Sequence, residues 1–145
     1  WAARSGARTV TLRVPGIYGR GRLPLARLKS GAPVLLAEQS PYTNRIHAED
    51  LADAAVIALR EGAAGGAYNV SDGAPTTMTD YFRQCAALLG LPSPPEVDLA
   101  TAREQFSPAL LSFIEESKRI SPARLVALGF TPRFASLAEG LPFCV

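Results

Sequence analysis

The sequence predicts an α/β chain. Three observations carry that reading. Thr9–Pro15 alternates apolar Val10, Leu12 and Val14 with Thr9, Thr11 and Arg13, the period of a strand. Asp50–Arg60 places Leu51, Ala54, Ala55, Ala58 and Leu59 on one helical face. A short β-rich run, Ala67–Val70, follows that helix directly, the order expected of an α/β unit.

The elements follow in order. Trp1–Ala7 reads as a helix end closed by Gly6, and Pro15 and Gly16 end the first strand. Gly16–Arg22 reads as a glycine-rich loop. Pro24 suits the start of a short helix through Lys29, stopped by Gly31. Val34–Ala37 and Arg45–His47 are short strand candidates on either side of a polar loop containing Pro41. Asp50 is the expected N-cap of the amphipathic helix, with Glu49 and Asp53 near the positive end of its dipole, and Gly62 ends it. Thr77 and Asp80 form a variant capping box for a helix whose face is Met78, Tyr81, Phe82, Cys85, Leu88 and Leu89, with Gly90 as its stop. Leu91–Pro95 is a proline-rich connection. Ser107-Pro108 and Ser121-Pro122 each read as an N-cap followed by a first-turn proline, and Phe130 follows Gly129 at a helix end.

Composition bounds the function. The chain has 145 residues, 48% hydrophobic and 19% charged, with a net charge of +2. That is the composition of a folded domain, not of a disordered segment. The charge is too small to argue for nucleic acid or a membrane surface, and no apolar run approaches the ~20 residues of a membrane span. The two cysteines, Cys85 and Cys144, do not form a disulfide framework, so a cytoplasmic location is expected. The chain begins at Trp1 and its single methionine is Met78, from which we expect the C-terminal part of a larger protein.

Residues able to carry chemistry are few. Gly16, Gly19 and Gly21 follow a strand in the order G-x-x-G-x-G, which differs from a dinucleotide fingerprint, and Glu38 is the only acidic residue near the required offset. A simple turn is the expected reading. His47 is the single histidine, so a two-histidine metal site is excluded; it is either a structural hydrogen-bonding group or part of a site. No tyrosine has a lysine four residues on: Tyr18, Tyr42, Tyr68 and Tyr81 are followed there by Arg22, Ile46, Asp72 and Cys85. Arg20, Arg22 and Arg45 could form a small anion site if the loop and the Arg45 strand converge. Lys118 and Arg119 suit the complement of a helix end.

Four segments in this order, LRVPGIYGRGR (Leu12–Arg22), NRIHAEDLADA (Asn44–Ala54), AYNVSD (Ala67–Asp72) and KRISPARLVALGFTPR (Lys118–Arg133), resemble the C-terminal half of an extended short-chain dehydrogenase/reductase. That superfamily includes the NAD-dependent epimerases and dehydratases. The resemblance implies the C-terminal portion of a Rossmann-type doubly wound sheet plus a small mixed α/β substrate-binding domain. It divides the chain into a late Rossmann strand and loop (1–21), a substrate-domain segment (22–49), a return to the Rossmann domain (50–75) and a C-terminal substrate-binding region (76–145), with the N-terminal cofactor-binding half absent.

By the same resemblance Pro15, Gly16 and Ile17 would approach the nicotinamide of NAD or NADP. Tyr18, Arg22, Arg45 and His47 would face the substrate, with Arg45 toward a phosphate. No catalytic residue and no metal ligand is expected in this chain, since the Tyr-x-x-x-Lys pair and the glycine fingerprint belong to the other half. The implied substrate is a small molecule, phosphorylated or sugar-like, and the complete protein would be a homodimer. The alternative is a catalytically silent relative that senses a nucleotide or binds a partner. The missing strands would leave Val10, Leu12, Val14 and the Leu51/Ala55/Leu59 face exposed.

Overall fold

The computed structural model describes residues 6–145. The helix end expected over Trp1–Ala7 lies outside them except for its last two residues. The first strand is shorter than its alternating pattern. β1 (Thr11–Arg13) stops before Val14-Pro15, where proline offers no N–H to a ladder, and the extended chain resumes as β2 (Gly16–Tyr18). The loop expected from Gly16 therefore begins as strand. Only Gly19–Arg22 turns, closed by Arg22 N–H donating to the Gly19 carbonyl at 3.0 Å.

The two halves of this extended run take different partners. β2 pairs in parallel with β5 (Arg45–His47), Gly16 opposite Arg45 and Tyr18 opposite His47. β1 pairs in parallel with β6 (Ala67–Asn69), Thr11 opposite Ala67 and Arg13 opposite Asn69. The helix between them, α2 (Ala48–Glu61), makes β5–α2–β6 a crossover unit of the α/β class. Its N-cap is His47, not Asp50: His47 Nδ1 accepts the Glu49 N–H at 3.3 Å. Asp50 lies in the first turn, where its buried carboxylate serves a distant segment, accepting the Arg133 N–H at 2.7 Å and the Phe134 N–H at 3.1 Å.

The remaining elements, apart from the helix near residue 125, pack mainly around a second cluster. α1 (Leu25–Lys29) precedes β3 (Val34–Leu35), which pairs in parallel with β8 (Glu96–Val97). β4 (Tyr42–Thr43) pairs antiparallel with β7 (Thr76–Thr77). β7 runs into α3 (Met78–Leu88), capped as expected by Thr77 Oγ1 accepting the Asp80 N–H at 3.1 Å. Its end at Gly90 has the positive φ of 64° that favours glycine, with Leu91 N–H returning to the Ala86 carbonyl. α4 (Leu99–Gln105) is capped by Asp98 and α5 (Pro108–Ile114) by Ser107. α6 (Ala123–Val126) begins one residue later than the Ser-Pro pattern implies, with Pro122 at the cap position, and α7 (Leu137–Gly140) closes the chain with a short 3-10 turn, Leu141–Cys144.

Two apolar clusters hold these layers. Tyr18, Leu28, Val34, Phe82, Cys85 and Leu137 belong to the larger. Ile46, Ala54, Ala58, Tyr68, Val70, Leu125 and Phe130 form the other, so residues around 125–130 pack on the crossover unit rather than on α3. Of the α2 face, Ala54 and Ala58 are buried, Leu51 and Ala55 half-buried, and Leu59 is 65% exposed. Val14 is 42% exposed, while Val10 and Leu12 are half-buried. Among the described residues no helix is long and apolar enough to cross a membrane.

Candidate functional site

Parallel strands open their ligand crevices at their carboxyl ends. Here that end is Arg13–Pro15 of the first strand beside Asn69 of β6. A cavity of about 570 Å³ lies there, lined by Val14, Pro15, Asn44, Asn69, Lys118 and Ile120 among others. A second, of about 130 Å³, shares Pro15, Asn44 and Lys118 with it and continues past Gly16, Thr43 and Arg45 to Phe113. The two form one crevice.

Asn44 fixes its far wall. Its side-chain N–H donates to the Lys118 carbonyl at 2.9 Å, and its Oδ1 accepts the Ile120 N–H at 2.9 Å. One buried amide thus clamps the 118–120 segment against the start of β5. Lys118 N–H donates to the Tyr42 carbonyl at 3.2 Å, and Arg119 stacks on the Tyr42 ring at 3.7 Å. Lys118 Nζ meets Glu116 at 2.6 Å, both exposed at the crevice mouth.

Arg45 is 8% exposed. Its guanidinium lies 4.1 Å from the Tyr81 ring centre, and Nη1 donates to the Asn44 carbonyl at 3.1 Å. Among the described residues its Nε is buried with no hydrogen-bond partner and no carboxylate lies within 4.0 Å of it. Burial pulls its pKa below the usual arginine value, since the charged form loses solvation. Gly16 makes this placement possible. A Cβ there would sit 2.4 Å from Arg45 Nη1.

The sequence-predicted residues divide into two sets. Pro15, Gly16 and Arg45 meet at the crevice, with Ile17 half-buried behind them in the β2–β5 pair. Tyr18 and His47 face inward. Their rings meet edge-on at 5.2 Å, and His47 also meets Phe134 at 4.4 Å. Burial holds the Tyr18 phenol well above its ordinary value. Arg22 is exposed on the Gly19–Arg22 turn and lines neither lobe of the crevice. Asn44, Tyr42 and Phe113 were not singled out by spacing. Asn44 stands beside Arg45 in the second resembling segment, and Lys118-Arg119 is a visible basic pair, but only the fold brings them together. Among the described residues no group of three His, Cys, Asp or Glu could hold a metal ion.

The crossover unit, the parallel pairing and a crevice at the strand ends define a portion of a Rossmann-type α/β protein. No family model matches the chain. It is 31% identical over 99 residues to short-chain dehydrogenase/reductase family 42E member 1 of Xenopus laevis, covering 60% of this chain and 26% of that protein. Among solved structures it is similar to a conserved protein of unknown function from Silicibacter pomeroyi DSS, with 32% identity, a TM-score of 0.83 and coverage of 98% of this chain and 50% of that one. It is also similar to the Thermus thermophilus UDP-glucose 4-epimerase solved with NAD, with 26% identity, a TM-score of 0.70 and coverage of 98% and 47%. By sequence and fold the chain is similar to a portion of short-chain dehydrogenase/reductase and NAD-dependent epimerase proteins. It spans about half the length of those structures and about a quarter of the curated relative.

Proposed function

We propose that this chain forms the substrate wall and the nicotinamide-end contacts of an NAD(P)-dependent epimerase, dehydratase or reductase. The observation that carries this reading is the crevice at the carboxyl ends of β1 and β6, with a buried arginine at its inner end that, among the described residues, has no carboxylate within 4.0 Å. NAD-, NADH- and NADPH-bound structures among the similar proteins support the cofactor class.

The residues present fit a flat ring at the outer lobe. Pro15 presents a rigid apolar surface, and the Gly16 backbone is exposed at the neck without a side chain to narrow it. Pro15–Ile17 would hold that ring. The nicotinamide, when bound, supplies or accepts a hydride. Asn44 keeps the 118–120 wall in place, Arg45 orients an anionic or strongly polar substrate group, and Phe113 covers the passage from solvent. We assign no proton-transfer role to His47, whose Nδ1 is used as the helix cap. Residues 1–21 and 50–75 would serve the cofactor side and 22–49 and 76–145 the substrate side, within a homodimeric protein acting on a small molecule.

Fluorescence titration with NADH and NADPH, on protein expressed from the full reading frame, tests the reading. Micromolar binding that weakens at least about tenfold in Gly16→Val is expected, since the added side chain blocks the neck and displaces Arg45. Absence of binding would favour the catalytically silent alternative.

A further inference from the structure

Beside Arg45 lies a third cavity, of about 170 Å³, that the proposed function does not use. It shares Arg45 and Phe113 with the crevice, so it adjoins the same site. α3 supplies its floor through Met78, Tyr81 and Phe82; α5 supplies Leu110. A cavity near 150 Å³ with such a lining takes about one benzene ring.

Two cations frame this apolar space. Arg45 stacks on Tyr81 at 4.1 Å, and Arg27, from α1, stacks on the adjacent Phe82 at 5.1 Å. Arg27 also donates through Nη2 to the Pro33 carbonyl at 2.8 Å. Among the described residues the Nε of each arginine is buried without a hydrogen-bond partner, and neither guanidinium has a carboxylate within 4.0 Å. Asp72 acts on Arg45 only from beyond direct ion-pair distance, and cations without a paired carboxylate beside an apolar cavity are costly unless an anion completes them. Aromatic stacking fixes both forks in place, so the donors are pre-organised.

We propose that the substrate of this site is an amphiphilic organic carboxylate: an apolar group of about one ring fills the Met78/Phe82/Leu110 cavity, and its carboxylate meets the Arg27 and Arg45 forks. A sugar is the wrong occupant of that cavity. Its hydroxyls would find no acceptor on Met78, Phe82 or Leu110. This inference rests on the functional reading above and narrows its substrate.

The test is calorimetric titration of the full-reading-frame protein with three probes: 4-phenylbutyrate, its neutral amide 4-phenylbutyramide, and UDP-glucose. Expected is saturable binding of phenylbutyrate, at least about tenfold weaker binding of the amide, and a loss of about tenfold or more on Leu110→Trp, which fills the cavity, and on Arg27→Met, which keeps the stem and removes the charge. Circular dichroism establishes that both variants fold, and the Arg27 variant carries the test if the Leu110 one does not. UDP-glucose binding with phenylbutyrate silent would overturn the proposal. So would equal binding of acid and amide. NADH titration of the same sample reads the functional proposal separately: NADH binding without phenylbutyrate binding refutes only the substrate class, whereas absence of NADH binding refutes the enzyme reading.

Discussion

Asp72 offers the sharpest energetic test of the packing around the site. The residue is 6% exposed; Oδ1 accepts the Ala74 N–H at 2.9 Å, and among the described residues Oδ2 is buried without a hydrogen-bond partner. Burial is the largest influence and pushes its pKa from 3.8 up to about 6, against the opposing pull of the Ala74 N–H and of Arg45. A pKa raised on folding means that the native chain holds its proton more tightly than the unfolded chain. Stability then falls as pH rises from near 4 to near 6, and the whole penalty is present above that window. Moving a carboxyl across that interval costs about 3 kcal/mol at neutral pH. Asp72→Asn keeps an acceptor for the Ala74 N–H and removes the ionisable group. The variant should therefore be more stable at pH 7.5 by up to about 3 kcal/mol, with the difference shrinking to near zero by pH 4. Urea denaturation at pH 4, 5, 6 and 7.5 measures it. A difference that is constant across pH, or that grows toward pH 4, would refute the burial argument and give Oδ2 a stabilising partner.

Other substitutions probe the packing and the crevice. Gly140→Ala would place a Cβ 2.2 Å from the buried Tyr18 hydroxyl, and thermal unfolding should show a loss of about 1–3 kcal/mol. Asp50→Ala frees the Arg133 and Phe134 N–H groups from their buried acceptor; a loss of about 1–3 kcal/mol and faster amide exchange at both positions are expected. Gly16→Ala should leave the fold near wild-type stability yet weaken substrate binding, because the guanidinium tip must move from its seat on Tyr81. The 145-residue chain by itself should show no micromolar affinity for NAD or NADP in calorimetry, since neither the dinucleotide fingerprint nor the Tyr-x-x-x-Lys pair lies within it. Such affinity would make the Gly16–Gly21 stretch a phosphate loop.

What the sequence made legible was local. Thr77 with Asp80, Ser107 with Pro108 and Gly90 each act within one turn, and each behaves as its pattern implies. The α/β order was legible because the α2 periodicity and the β6 run lie next to each other. The unreadable features depend on distant partners. β8 is a two-residue strand whose pairing with β3 crosses some sixty residues of chain, too short to leave an alternation. Asp50 resembles an N-cap by its position before an apolar face, but His47 already fills that role and frees the carboxylate for Arg133 and Phe134. Arg45 was visible as a charge on a strand. Its burial against Tyr81, and the bare Gly16 that admits it, exist only once β2 lies beside β5.

The central claim is that Pro15–Ile17 lies against the nicotinamide while the Arg45 side receives substrate. Amide chemical-shift mapping of the isotope-labelled full-reading-frame protein with NADH tests it directly. The account predicts that the Gly16 and Ile17 amides move on titration while Arg22, on the exposed turn, stays still. Saturable NADH binding that leaves Gly16 and Ile17 unmoved would contradict it.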